Sequence, residues 1–111
     1  MTGVQTCALP ISTKHPKTLL VIVAEAVLEK NLIRDASERG AQGWTVGEVH
    51  GASLDGVREG AWEADRTIEL KLICNADVAD AIALHVIDTY AKHYAVALYF
   101  SDVKVLRPDR F

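Results

Sequence analysis

The sequence predicts an α+β domain in which two helices pack on one face of a four-stranded antiparallel sheet. Short segments rich in β-branched residues alternate with two longer segments of helical periodicity, in the order β-α-β-β-α-β. The chain has 111 residues, which is the length of one domain and enough to bury a single core. Half of the residues are hydrophobic and 24% are charged, a composition typical of a folded globular protein.

The first predicted strand covers residues 18–24, a continuous apolar run that is typical of a strand in the centre of a sheet or covered on both faces. The first predicted helix covers residues 26–39. The apolar positions that we expect on its inner face are Val27, Leu28, Leu32, Ile33 and Ala36. The polar positions that we expect in solvent are Glu29, Lys30, Arg34, Asp35, Glu38 and Arg39. Gly40 follows where helices commonly end with a positive φ.

The second predicted strand begins at Gly43 and runs towards Gly51. Residues 50–65 then carry three glycines and mixed charges, and they have no clean periodicity. A loop of this length inside a compact domain is usually functional. Trp62 lies in this polar segment, and because aromatic residues are enriched at interaction hot spots, it indicates a contact with a partner or local packing.

The third predicted strand covers residues 66–74 and alternates apolar with polar side chains, which indicates one buried and one solvated face. The second predicted helix begins at residue 76, with Asn75 or Asp77 as its cap, and extends to about residue 92. Its expected inner face consists of Val78, Ala79, Ile82, Val86 and Tyr90. The last predicted strand covers residues 95–106 and ends before Pro108, because proline cannot donate to a strand ladder.

This order of elements is the ferredoxin-like pattern. If both helices cover one face of the sheet, the opposite face leaves aromatic and apolar side chains in water in a monomer. An exposed apolar face of this kind predicts oligomerisation.

Composition and motifs exclude several functions. The net charge of −3 gives nucleic acid no basic surface to bind, and no apolar run approaches the roughly 20 residues of a membrane span. The chain has no P-loop, nucleophile elbow or pair of carboxylates framed by a base, so we expect no catalytic residue. No two histidines have the spacing of metal ligands, so we expect no metal site. Cys74 lies in an apolar run and is expected to be a small buried hydrophobe of a cytoplasmic protein.

Residues 1–11 stand apart from this pattern. They resemble the translation of a common sequencing adapter, and we interpret them as a non-native remnant of cloning or assembly. On this interpretation residues 12–111 form the single domain.

A family resemblance rests on residues 43–51, which read Gly-Trp-Thr-Val-Gly-Glu-Val-His-Gly. They resemble the G-x-T-V-x-E-V-x-G segment that opens the mobile T-loop of PII signalling proteins, and the resemblance extends over about residues 17–107. Tyr94, Ala95 and Tyr99 resemble the branch of PII-like proteins that is associated with bicarbonate transport and carboxysomes.

Two departures from the nitrogen-sensing PII proteins bear on the ligand. Residues 52–56 lack the glutamine that helps to hold Mg-ATP and 2-oxoglutarate, and residues 89–95 replace a glycine-rich phosphate loop. These departures argue against 2-oxoglutarate sensing and tight binding of Mg-ATP. They favour a nucleotide with fewer phosphates, such as ADP or AMP.

The resemblance implies a homotrimeric regulator that binds an adenine nucleotide (ADP, AMP or ATP) in clefts between subunits, with bicarbonate as a second candidate ligand. The candidate nucleotide-binding residues are Gly43, Thr45, Arg66, Lys92, His93, Tyr94, Arg107 and Arg110. The cations among them suit phosphate. For Arg66, an alternative interpretation is a solvated charge at a strand edge. For His93 and Tyr94 it is a helix-end cation and a packing aromatic.

The resemblance also implies that residues 50–65 form a flexible T-loop that contacts a partner, either a membrane transporter or a protein of carbon metabolism. The candidate contact residues are Gly51, Arg58, Glu59 and Trp62. A second function stays open at this point, namely a trimeric ferredoxin-like protein of metal tolerance or a structural binding protein.

Overall fold

The computed structural model describes residues 13–50, 52–53, 56–57 and 66–111. Its elements in chain order are β1 (His15–Glu25), a 3₁₀ turn (Ala26–Leu28), α1 (Glu29–Glu38), β2 (Thr45–Val49), β3 (Ala52–Ser53), β4 (Gly56–Val57), β5 (Thr67–Cys74), α2 (Ala76–Tyr90), β6 (Val96–Val105) and a 3₁₀ turn (Pro108–Arg110). Four strands form an antiparallel sheet in the order β2-β5-β1-β6, and β3 pairs with β4. The predicted α+β ferredoxin-like class is confirmed.

Strand β1 lies in the centre of the sheet, between β5 and β6. Its neighbouring residues Val21 and Ile22 point to opposite faces, and both are almost fully buried. Of the two alternatives that the sequence offers for this strand, the central position in the sheet is confirmed. The strand is longer than its apolar run, because residues 15–17 also pair with β6, with His15 opposite Val105.

The core lies between the sheet and the two helices, and both predicted inner faces contribute to it. Its fully buried members with large side chains include Leu20, Ile22, Leu28, Leu32, Leu70, Leu72, Ile82 and Val86. The predicted inner face of α2 is confirmed, with Tyr90 buried at its end. Cys74 is also buried, and burial raises the pKa of its thiol, so it is a core residue as predicted.

Two predictions about the first helix are wrong. Val27, predicted to be inside, is 65% exposed because it belongs to the 3₁₀ turn, where three residues per turn shift it out of register with α1. Asp35, predicted to be in solvent, is only 4% exposed because it faces α2 and accepts hydrogen bonds from it. Gly40 has the predicted positive φ, at 114°.

The remaining boundaries differ by a few residues. Helix α2 ends at Tyr90, and residues 91–94 form a turn. Asn75 occupies the N-cap position but makes no capping hydrogen bond with its side chain, because its Oδ1 accepts a hydrogen bond from Lys17 Nζ (2.7 Å). The short strands β3 and β4 lie in the segment predicted to be a loop, where the sequence shows no periodicity.

The face of the sheet opposite the helices is called the outer sheet face. The strand register places Leu19, Val21, Val23, Ile73, Ala97 and Tyr99 on it. Tyr99 is 52% exposed, and Val21 is buried between Lys71 and Tyr99. Apolar side chains of β1 and β6 therefore lie on this face, as the sequence predicts, beside the Glu69–Lys71 ion pair of β5. Within the described part of the chain, no helix has both the length and the apolar character needed to cross a bilayer.

Candidate functional site

The sheet has two ends, and the candidate residues are divided between them. At the Glu25 end, β1 and β2 finish and β5 and β6 begin. Arg66 and the turn of residues 91–94, with Lys92, His93 and Tyr94, lie at this end. At the opposite end, the His15 end, β6 finishes and leads to Arg107 and Arg110.

The turn of residues 91–94 is held by main-chain contacts. The carbonyl of Tyr90 accepts hydrogen bonds from the amides of His93 (3.1 Å) and Tyr94 (3.0 Å). The rings of Tyr90 and Tyr94 meet edge to face, with centroids 6.4 Å apart. Glu25 fixes the far side of the turn, since its Oε2 accepts the amide of Ala95 at 2.6 Å. The side chains of Lys92 and His93 project into solvent from this fixed turn.

Arg66 lies at the base of the segment that joins β2 to β5. Its carbonyl accepts the amide of Ala26 (2.8 Å), so its main chain is fixed. Its Nη1 lies 3.5 Å from Oε2 of Glu48, and both side chains are more than half exposed. An exposed ion pair of this kind contributes roughly 0–1 kcal/mol, so a competing anion could displace Glu48 at little cost.

Gly43 and Thr45 lie at the start of the edge strand β2. A Cβ atom at Gly43 would meet no atom within 4 Å, so local packing does not require glycine there. Thr45 is exposed and pairs with Lys71. Open space at this edge leaves the main chain of residues 43–45 accessible to a ligand.

The eight candidate residues do not meet in one chain. Strands β2 and β6 are the two opposite edges of the sheet, so Gly43 and Thr45 lie at one edge and Arg107 at the other. The eleven residues of β1 span roughly 35 Å at about 3.3 Å per residue, which also separates Arg107 from the turn of residues 91–94. A single site that uses all eight residues requires two copies of the chain.

A cleft of about 780 Å³ opens at the His15 end, between the start of α2 and the paired ends of β1 and β6. Its lining residues are Pro16, Lys17, Thr18, Asn75, Ala76, Asp102, Val103 and Lys104. It contains none of the candidate residues, although it lies at the end of the sheet from which Arg107 emerges.

The sequence did not predict a polar cluster that surrounds the buried Asp35 between the helices. We call it the Asp35 cluster, and its members are Arg34, Asp35, Arg39, His85 and Tyr90. Asp35 Oδ2 accepts hydrogen bonds from the Tyr90 hydroxyl and from His85 Nε2 (2.9 Å). Asp35 Oδ1 accepts a hydrogen bond from Arg34 Nε (3.1 Å). His85 is half-buried, with a side-chain exposure of 25%.

The environment of Asp35 acts on its pKa in two opposite directions. Burial alone would raise the pKa of the carboxyl, but the hydrogen bonds from Tyr90, His85 and Arg34 together outweigh burial and lower it. Burial and the hydrogen bond to Asp35 raise the pKa of Tyr90. Asp35 is therefore an ionised carboxylate that is stabilised by its donors, and Tyr90 is a neutral donor.

Among residues 13–50, 52–53, 56–57 and 66–111, no group of three His, Cys, Asp or Glu side chains is placed to hold a metal ion. The predicted loop contacts Gly51, Arg58, Glu59 and Trp62 lie outside the described residues, as do residues 1–11.

Comparisons with known proteins agree with this geometry. The family model described as nitrogen regulatory protein P-II matches residues 17–110. The crystal structure of a PII-like signalling protein from Thermus thermophilus superposes with a TM-score of 0.76 at 34% identity, over 88% of this chain and 97% of that chain. CPII from Thiomonas intermedia, bound to ADP and bicarbonate, gives a TM-score of 0.77 at 19% identity, over 89% and 97% of the two chains. A comparison with curated protein sequences gave no match.

Proposed function

Since the chain belongs to the nitrogen regulatory protein P-II family, we propose that it is a signalling protein without catalytic activity that binds an adenine nucleotide between the subunits of a homotrimer. The family match over residues 17–110 is the observation that carries this proposal. The placement of the candidate residues supports it, because they lie at opposite edges of the sheet and could meet only across two copies.

A ring of three copies satisfies this requirement. When one copy presents its β6 edge to the β2 edge of the next, the contact is head to tail, and such contacts form a closed ring when the rotation between copies is one third of a turn. Arg107 and Arg110 of one copy then approach Gly43 and Thr45 of its neighbour. The apolar outer sheet face supplies a surface that assembly would remove from water.

We propose ADP or AMP as the preferred nucleotide and bicarbonate as a second candidate ligand. The guanidinium groups of Arg107 and Arg110 and the ammonium of Lys92 would bind the phosphates. The departures at residues 52–56 and 89–95 weigh against tight binding of a third phosphate. CPII from Thiomonas intermedia, which shares the fold at 16–19% identity, has been solved with ADP, AMP and bicarbonate.

The Glu48–Arg66 ion pair suggests how nucleotide binding would change the conformation of the signalling loop. Glu48 precedes residues 50–65 and Arg66 follows them, so their contact at 3.5 Å closes the base of that segment. A nucleotide phosphate that attracts Arg66 would compete with Glu48 and change the base of the loop. We propose that the loop then contacts a transporter or a protein of carbon metabolism through Arg58, Glu59 and Trp62.

Calorimetric titration with ADP, AMP and ATP tests the nucleotide proposal. We expect Arg107→Ala to weaken ADP binding at least tenfold, because a charge-assisted hydrogen bond to phosphate is lost. Lys30→Ala removes an exposed charge on α1 and is the matched control, with unchanged affinity expected. Wild-type protein that binds none of the three nucleotides would refute the proposal.

Stabilisation by divalent metal ions in a thermal-shift assay, without any effect of nucleotides, would favour the metal-tolerance alternative.

A further inference from the structure

The Asp35 cluster joins the C-terminal halves of the two helices. Asp35 and its C-cap neighbour Arg39 come from the end of α1, and His85 and Tyr90 come from the second half of α2. Arg39 bridges both elements, since its Nη1 donates to the carbonyl of Asp35 (3.0 Å) and its Nη2 lies 2.9 Å from His85 Nδ1. The buried carboxylate is thus the centre of a network rather than one half of a single ion pair.

The network selects one tautomer of the His85 ring. An arginine guanidinium can only donate hydrogen bonds, so His85 Nδ1 must accept the hydrogen bond from Arg39. The proton of the neutral ring then lies on Nε2, which donates to Asp35. The three side chains that bind the Asp35 carboxylate are therefore all donors, and the carboxylate holds donors from both helices in place.

Tyr90 links the Asp35 cluster to the turn of residues 91–94. It is the last residue of α2, it is 7% exposed, and its hydroxyl donates a hydrogen bond to Asp35. The carbonyl of the same residue accepts the amides of His93 and Tyr94, and its ring contacts the ring of Tyr94. A tyrosine anchored at its hydroxyl cannot rotate or shift without disturbing these three contacts with the turn.

We propose that Asp35 is a positioning residue for the turn of residues 91–94: its carboxylate fixes Tyr90, and Tyr90 fixes the turn from which Lys92 and His93 project. The importance of this turn for nucleotide binding rests on the proposed function above. The mechanical coupling between Asp35 and the turn does not, because it follows from contacts within one subunit.

Amide hydrogen exchange in the ligand-free protein tests the coupling. Tyr90→Phe keeps the buried ring and removes only the hydroxyl. We expect the amides of His93 and Tyr94 to exchange at least tenfold faster in this variant, while amides in the β1–β5 ladder change less than twofold. Asp35→Asn should have the same effect, and Asp88→Asn, which removes an exposed carboxylate two residues before Tyr90, should have none.

Three results would overturn the proposal. Wild-type exchange rates at His93 and Tyr94 in Tyr90→Phe would refute the coupling. An equal acceleration of all amides, including those of the β1–β5 ladder, would show that the hydroxyl supports the whole fold and not the turn. Unchanged ADP affinity in a variant whose turn exchanges faster would refute the positioning role, for which we expect a loss of about tenfold. If the wild-type protein binds no nucleotide, the proposed function fails, and the exchange data still decide the coupling.

Discussion

At the scale of single residues, Asp35 shows how this fold tolerates a charge in its interior. An isolated buried carboxylate is costly, and the helices offset this cost with hydrogen bonds from Tyr90, His85 and Arg34. Because its pKa is lower in the folded protein than in the unfolded chain, Asp35 contributes stability at neutral pH. That contribution is complete above the unfolded pKa of about 4 and is lost as the pH falls through the folded value.

We therefore expect the effect of Asp35→Asn to depend on pH. At pH 7 the variant should be less stable than the wild type by roughly 1–3 kcal/mol, the usual range for disrupting hydrogen bonds to a buried charged group. The difference should narrow as the pH falls below about 4, because the unfolded wild-type chain then binds a proton at Asp35 before the folded protein does. Urea unfolding of both proteins at several pH values measures it, with Asp88→Asn as the exposed control. A difference that does not change with pH would mean that the charge of Asp35 is irrelevant.

The residue scale also shows what one sequence can and cannot reveal. Gly40 was predictable because the conformation at a helix end depends on neighbouring residues alone. The burial of Asp35 was not, because its partners His85 and Tyr90 lie on a helix fifty or more positions later. Helical periodicity places a residue on a face of its own helix and does not show which side chains of another helix meet that face.

At the scale of elements, the end of α1 combines two hydrogen bonds with an unusual backbone conformation. The amide of Ala41 donates to the carbonyl of Ala36 (3.0 Å), and the amide of Gly40 donates to the carbonyl of Ser37 (3.2 Å). This pair of bonds is the Schellman motif, which requires a positive φ at Gly40. The motif turns the chain from α1 towards β2 and so sets where residues 43–45 lie.

Gly40→Ala should destabilise the protein by about 1–3 kcal/mol, the cost of holding a residue with a side chain at φ 114°. Sterics do not add to this cost, because a Cβ atom at Gly40 would lie 3.5 Å from Val78, an ordinary contact distance. Gly47→Ala is the control, since Gly47 lies in β2 with open space around it, and we expect stability equal to or above that of the wild type. Thermal or urea unfolding compares the two variants, and equal stabilities would contradict a strained position at Gly40.

Helices and strands could be predicted where the hydrophobic periodicity of the sequence is strong. They were harder to predict where only main-chain pairing between strands defines them. The two helices and the four main strands follow from apolar patterns, and the family suggested by residues 43–51 is confirmed by the match to the P-II model. The extension of β1 to His15 and the pairing of β3 with β4 depend on main-chain hydrogen bonds between strands, which leave no apolar pattern in the sequence. The nucleotide-binding residues stay a prediction, because they come from two edges of the sheet that only an assembly could join.

At the scale of the whole molecule, the outer sheet face provides a test of assembly. Ala97 lies on this face, opposite Val23, and it is exposed, so a single subunit would tolerate a lysine there. In a trimer that buries this face, the lysine would carry an unpaired charge into an apolar contact. We expect light scattering to give three times the chain mass of 12.1 kDa for the wild type and the chain mass itself for Ala97→Lys.

Leu84→Lys is the matched control for this measurement, because Leu84 is an apolar residue that is 65% exposed on α2, on the side of the sheet away from Ala97. It should remain a trimer. Wild-type protein with the mass of one chain would refute the proposed assembly. A trimeric Ala97→Lys variant would show that the copies meet through another surface.

The order of strands in the sheet also has a consequence for how the chain is made. Strand β1 pairs with β5 and β6 but not with β2, so the first half of the chain contains no pair of strands that are neighbours in the main sheet. During synthesis from the N-terminus, β1 has no strand to pair with until residues beyond Thr67 have left the ribosome. Its second partner becomes available only when β6 has emerged. Such long-range pairing makes folding slow. Until it is complete, apolar strands such as β1 are exposed and can aggregate or pair with non-native segments. Each subunit therefore becomes a folded unit late in its own synthesis, and a nascent chain halted before Thr67 contains no two strands that pair in the main sheet.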